Sequence, residues 1–170
     1  IFILSWLLPI LALLIKLDTR GPVFFIQPRS GKKEEEFLCI KLRTLRVNDE
    51  AHTRQVTSND KRITRVGKFL RKNSLDELPQ FFNVLNNSMS VVGPRPAMAH
   101  EVNKYDSVYE RRLYAKPGIT GPWQIGGRSD LNLEVSVALD LNYVFNWSFT
   151  QDIAIILKTV VAVFKGKGAY

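Results

Sequence analysis

Arg71-Lys72-Asn73-Ser74-Leu75-Asp76-Glu77-Leu78-Pro79-Gln80 sets two adjacent carboxylates and a proline directly behind a strongly cationic segment, an arrangement suited to handling phosphate. Ser74 to Glu77 also fits the S-x-x-E capping box, with Ser74 as N-cap, Glu77 reaching back and Asp76 favoured by the helix dipole. A cap alone leaves Pro79 beyond the first turn, where it lacks a donor and its ring crowds the preceding carbonyl. A locally awkward residue of this kind hints at a functional site. Neighbouring helical residues point about 100° apart, so Asp76 and Glu77 do not face each other as a proton-sharing dyad and are assigned separate jobs.

The 170 residues suffice for one domain with a core, and 45% hydrophobic with 24% charged residues excludes a disordered chain. A net charge of +8 calls for an acidic partner: nucleic acid, anionic lipid or a phosphorylated substrate. Cys39 is the single cysteine, so no internal disulfide forms. His52 and His100 lie far apart without zinc-ligand spacing, which leaves oxygen-bound metals as the candidates.

Ile1 to Ile15 carries no charge and is broken only by Ser5 and Pro9 before Lys16 and Arg20 close the run. As a helix these residues reach about 22 Å, short of the roughly 30 Å hydrocarbon core. The chain opens in mid-run without a methionine, so a piece of a longer protein is expected, with upstream residues extending the helix. Pro9 is expected to kink it into a bent segment that enters and leaves the membrane on one face, Lys16 and Arg20 meeting anionic headgroups. A buried core helix is the other reading.

Val23 to Gln27 reads as a strand between the turn at Gly21-Pro22 and one around Arg29-Ser30-Gly31. Phe37 to Arg43 is its hairpin partner, with Lys41 and Arg43 on one face. The polar stretch from Val47 to Asn59 reads as a loop. Lys61, Arg65, Lys68 and Lys72 recur at helical spacing as one basic stripe, opposite Ile63, Val66, Phe69 and Leu70. Such a stripe is either a solvated face or, beside an apolar N-terminus, a lipid-facing one. Leu78 to Leu85 continues as an apolar helix, residues 97–114 look helical, and Asn132 to Asn146 and Asp152 to Phe164 add two more helices. Gly93-Pro94-Arg95-Pro96 fixes the backbone on both sides of one arginine, which favours presenting its fork to an oxyanion. Pro117 to Arg128 is dense in turn formers whose glycines let backbone amides approach a ligand. The fold class expected is α+β: a small β-hairpin with several amphipathic helices behind a proline-broken N-terminal membrane helix. Residues 1–20 are expected to form that helix and 21–170 the body of the protein, as one structural unit.

Gly21-Pro22-Val23-Phe24, Lys41-Leu42-Arg43-Thr44, Ser74 to Gln80, Asn83-Val84-Leu85, Met89 to Pro96 and Pro117 to Gly121 together resemble the bacterial sugar transferases called monotopic phosphoglycosyl transferases. The resemblance covers nearly the whole chain. It implies transfer of a sugar 1-phosphate from a UDP-sugar to undecaprenyl phosphate with release of UMP, on the cytoplasmic face of the bacterial inner membrane, initiating surface glycan assembly. It implies Asp76 as nucleophile, Glu77 as the acid associated with Mg²⁺, with Asp76 beside it, and Lys41, Arg71, Arg95 and Arg128 around the phosphates. The family's re-entrant helix breaks at a proline that Pro9 matches, although Leu8 stands where other members place a serine whose hydroxyl could bond the freed backbone. The ending Gly168-Ala169-Tyr170 is similar to larger members that use galactose or glucose, and a homodimer fits those members.

The implied chemistry is intelligible from charge alone. A diphosphate repels an anionic attacker, so a carboxylate reaches the phosphorus only where metal and cations neutralise it. Mg²⁺ binds through one or two carboxylates and substrate phosphates, matching a site without His or Cys. Two rival readings make different predictions: a non-catalytic membrane-surface protein binds anionic lipid without releasing UMP, and a nucleic-acid binder shows steeply salt-dependent affinity but leaves the apolar N-terminus without a role.

Overall fold

The computed structural model describes residues 2–48, 56–57, 60–98, 102, 107–127 and 132–165. Helix α1 (Phe2–Asp18) buries Leu4, Leu11 and Ile15 along one stripe, while Phe2, Trp6, Leu13 and Leu17 stand exposed. Pro9 removes the amide that would bond the Ser5 carbonyl, yet α1 runs through it as one helix. The helical assignment is continuous across the position where a bend is expected, and the Ser5 hydroxyl donates to the Phe2 carbonyl at 2.7 Å. Among the described residues no helix is long and apolar enough to cross a membrane.

Strands β1 (Phe24–Ser30) and β2 (Glu36–Leu42) pair antiparallel from Phe24 opposite Leu42 to Ser30 opposite Glu36. The hairpin is longer than expected: Pro28, Arg29 and Ser30 belong to β1, and the reversal falls at residues 31–35, where Lys33 and Glu34 adopt positive φ. A two-stranded sheet gives each strand a free edge, which tolerates Pro28, and a tertiary bond from the Ser30 amide to the Ala97 carbonyl (3.0 Å) holds the extension. The alternation is inverted relative to an ordinary half-buried sheet. Gln27, Arg29 and Cys39 point inward, whereas Phe24, Ile26 and Leu38 are exposed.

Helix α2 spans Arg65–Lys72, so Lys61 lies in the preceding turn and the basic stripe is shorter than its spacing implied. Two groups cap its start: Thr64 Oγ1 accepts from the Gly67 amide, and Asp18, from the end of α1, accepts from the Val66 amide at 2.9 Å. At Gly67 a Cβ would fall 2.0 Å from the Thr44 carbonyl oxygen, so only glycine lets α2 lie this close. Leu11, Ile15, Leu42 and Leu70 form the first core, joining α1, β2 and α2, with Leu75 and Leu78 packed against it. Helix α3 (Gln80–Leu85) is fastened to β2 by the buried Asn83, whose Oδ1 accepts from the Ile40 amide (3.0 Å) and whose Nδ2 donates to the Leu38 carbonyl (2.8 Å).

The second half is built on a parallel pair, β3 (Ser90–Val92) beside β4 (Gly118–Thr120). Between them, in the span expected to be helical, come α4 (Ser107–Glu110) and a 3-10 turn (Arg111–Tyr114), with much of 99–106 outside the described residues. Helices α5 (Pro122–Gly126), α6 (Leu133–Phe145) and α7 (Phe149–Lys165) follow. Asn132 caps α6 through a 2.8 Å bond from the Val135 amide, and Val92, Tyr143 and Ile155 make the second core. The glycines here pack backbone against backbone: a Cβ on Gly118 would meet the Gly93 nitrogen at 2.1 Å, and one on Gly121 the Gly93 carbonyl oxygen at 2.0 Å.

Two outcomes test this packing. Asn83→Ala strands the Ile40 amide and Leu38 carbonyl, and a loss of about 1–3 kcal/mol is expected in a denaturation experiment. Burial pushes the Cys39 thiol above its ordinary range, so slow reaction with a disulfide reagent is expected in the folded protein and fast reaction in denaturant.

Candidate active site

The two carboxylates sit on a single 3-10 turn, Leu75–Glu77, between α2 and α3. Ser74 does not cap it: its backbone is left-handed (φ 54, ψ 22) and its side chain makes no cap bond, so the capping box is not formed. The chain needs that reversed φ to leave α2 and begin a new turn immediately. Pro79 is relieved by the same geometry, because α3 restarts at Gln80 and the proline precedes it rather than interrupting a helix.

Leu75 and Leu78 anchor the turn in the first core, which draws Asp76 inward until only 8% of it is exposed. Glu77 points elsewhere. Its Oε1 receives Lys41 Nζ at 2.6 Å and lies 3.6 Å from Arg95 Nη1. Lys41 reaches it from the inward face of β2. Arg71, in the last turn of α2, donates to Thr44 Oγ1 at 3.2 Å; burial lowers its pKa and the nearby Asp76 charge opposes that. Burial first, and then the Glu77 charge, push Asp76 above the ordinary carboxylate range, while Lys41 and Arg71 pull it back.

Arg95 enters from the segment after β3. Its guanidinium carbon lies 4.8 Å from the centre of the Trp123 ring, a cation–π contact with the second residue of α5. Behind it, Arg112 Nη2 donates to the Arg95 carbonyl (3.3 Å) and to Asp140 Oδ2 (2.5 Å). Asp140 is wholly buried, which raises its pKa to about 6 against the pull of Arg112.

The structure therefore gathers Asp76, Glu77, Lys41, Arg71 and Arg95 around one turn, and Arg128 lies outside the described residues, as do both histidines. Trp123, Arg112 and Asp140 were not singled out by sequence reasoning. One signal existed for Asp140, a charge in line with Ser136, Val137 and Tyr143 on the buried face of α6. The glycines of 118–121 close backbone contacts rather than opening a ligand cradle. An open groove of about 350 Å³ lined by Val84, Val91, Lys116, Phe149 and Asp152 contains none of these five residues.

Among the described residues no three His, Cys, Asp or Glu side chains converge as a metal cage. Asp76 and Glu77 are oxygen donors, the chemistry that suits Mg²⁺, a hard cation that takes few protein ligands and completes its shell with water and substrate phosphate. Such a pair does not suit a soft-ligand metal. A desolvated carboxylate faced by cations has the chemistry that nucleophilic catalysis uses.

The sequence matches the family described as "Bacterial sugar transferase" over residues 1–166. It is 40% identical over 173 residues to the exopolysaccharide production protein ExoY of Sinorhizobium fredii (strain NBRC 101917 / NGR234), covering 92% of this chain and 76% of that protein. It is 46% identical over 166 residues to the UDP-glucose:undecaprenyl-phosphate glucose-1-phosphate transferase of Xanthomonas campestris pv. campestris, covering 92% of this chain and 34% of that one. With the UDP-galactose-lipid carrier transferase of Erwinia amylovora it shares 41% identity over 186 residues, 99% of this chain and 39% of the relative. The chain thus spans three quarters of the first relative and little more than a third of the other two.

The electrostatics of Asp76 are open to measurement in metal-free protein. Glu77→Gln removes a like charge and is expected to lower the Asp76 pKa, and Arg71→Gln removes a cation and is expected to raise it, both read from the carboxyl ¹³C shift.

Proposed function

The chain belongs to the bacterial sugar transferase family, and from that premise we propose that it transfers a sugar 1-phosphate from a UDP-sugar to undecaprenyl phosphate through a covalent Asp76 intermediate. The observation that supports this reading most directly is the buried Asp76 carboxylate beside Glu77, with the cations Lys41, Arg71 and Arg95 turned toward the pair.

In the first step an Asp76 oxygen attacks the β-phosphorus of the donor, the bond from that phosphorus to the bridging oxygen breaks, and UMP leaves with the electron pair. Asp76 then bears the sugar phosphate as an acyl phosphate. In the second step a phosphate oxygen of the lipid attacks the same phosphorus and returns the Asp76 carboxylate, yielding a lipid diphosphate sugar. Neither step requires a base to activate the nucleophile, provided Asp76 is ionised; Lys41 and Arg71 favour that state against burial. Lys41, Arg71 and Arg95 offset the charge of the diphosphate, and Arg128 is assigned to the same task. Glu77, with Asp76 beside it, would hold Mg²⁺, which supplies Lewis-acid neutralisation of the phosphate oxygens when bound.

The exposed apolar side of α1 supports placing the protein at a membrane surface, and the UDP-sugar donor of this reading assigns it to the cytoplasmic face of the inner membrane. Inserted without crossing, α1 would hold the site at the headgroup layer where the acceptor's phosphate is confined, with Lys16 and Arg20 among anionic headgroups. The activities for which the relatives are named favour a hexose such as glucose or galactose as the sugar, in the initiation of surface polysaccharide assembly.

A panel of UDP-sugars read by UMP release, with donor alone and then with undecaprenyl phosphate, tests the reading. Donor alone is expected to give an adduct of one sugar phosphate on Asp76 by mass spectrometry. Asp76→Asn is expected to lower turnover at least about 10³-fold; full turnover in that variant, or no adduct with any donor, overturns the mechanism.

A further inference from the structure

A salt bridge between Arg112 and Asp140, the two side chains 7% and 0% exposed, sits behind the site and touches neither carboxylate of the reactive turn. Burying such a pair contributes little net stability, since the desolvation of both ions offsets their attraction and packed apolar side chains do as well. Its geometry has a direction, however. The same Arg112 nitrogen that meets Asp140 also donates to the Arg95 carbonyl, so α6 is tied through Arg112 to the main chain of a residue that reaches Glu77.

We propose that Arg112 and Asp140 are positioning residues that aim Arg95 at the transferred phosphoryl group, an inference that rests on the sugar-phosphate transfer reading above. Three restraints then act on Arg95. Pro94 and Pro96 limit the backbone on either side, Arg112 holds its carbonyl, and the Trp123 ring sets the plane of its guanidinium at 4.8 Å. Held in this way, Arg95 brings Nη1 to 3.6 Å from Glu77 Oε1, beside the turn that carries Asp76. Asp140 makes this arrangement electrostatically tolerable, because an uncompensated Arg112 would place an unpaired buried cation directly behind the half-buried Arg95. Arginine suits the middle position, since its planar guanidinium fixes in place the one nitrogen that meets both carboxylate and carbonyl, which a flexible lysine ammonium does less rigidly.

The test is steady-state UMP release with the full chain in membranes, alongside thermal denaturation. Asp140→Asn and Arg112→Lys are each expected to lower kcat at least about tenfold with donor KM within about twofold, as misplacement of a transition-state contact does. In an Arg95→Ala background the same substitutions are expected to have no further effect, because the group they aim is gone. The paired replacement Arg112→Met with Asp140→Leu removes the charges without leaving one unpaired, and is expected to keep the melting temperature while losing the same activity. Wild-type kcat in that pair, equal losses in the Arg95→Ala background, or failure of every replacement to fold overturns the proposal. Absence of UMP release from wild-type protein with every UDP-sugar instead overturns the parent reading, so the two failures are distinguishable.

Discussion

The structure is organised around keeping a carboxylate out of water next to another carboxylate. Asp76 is 8% exposed and Glu77 is its immediate neighbour, an arrangement that opposes ionisation by both desolvation and like charge. Cations from separate elements oppose that: Lys41 on β2 and Arg71 at the end of α2 act on Asp76, and Arg95 following β3 pairs with Glu77. None of these is near another in sequence, so the tertiary fold is what brings the charges into balance. The left-handed Ser74 belongs to the same requirement, because without it α2 would carry its axis past the point where Asp76 must turn inward.

The inverted hairpin follows from that need. An ordinary sheet on a small core sends apolar residues in and polar residues out. Here Lys41 must face the reactive turn, and every residue sharing its side of the sheet goes with it, so Cys39 and, across the register, Phe25 and Gln27 turn inward. The opposite side then shows Phe24, Ile26 and Leu38 to the exterior. Asn83 compensates at the edge by bonding the backbone of β2 on both sides of Cys39. The inversion holds for the middle of the hairpin, while Leu42 on that opposite side enters the first core and Ser30 is buried at the far end.

Much of this was legible in the sequence where local chemistry decides. The helices expected at Asn132 to Asn146 and Asp152 to Phe164 are α6 and α7, with α7 starting earlier, at Phe149, because their signals lie within the elements themselves. Asp76, Glu77, Lys41, Arg71 and Arg95 were legible as a set through the ordered motifs they occupy. Legibility stopped where a distant contact overrides a local pattern. Ser74 fits a capping box by spacing but is used to reverse the chain, and β1 outruns its apolar residues because Ala97 holds its end. Arg112 and Asp140 are 28 residues apart, and no spacing rule links a polar residue of one turn to the buried face of a later helix.

The contact among Gly93, Gly118 and Gly121 has a bearing on how this protein tolerates genetic drift. Backbone atoms there leave no room for even a methyl group, so selection at those codons acts against nearly every missense change regardless of polarity. Surface positions a few residues away, such as Tyr114, face solvent and are under no such bar. Neighbouring codons within one short segment thus experience sharply different purifying pressure. A randomised gene library would reveal the seam between β3 and β4 as three nearly monomorphic sites in a variable background.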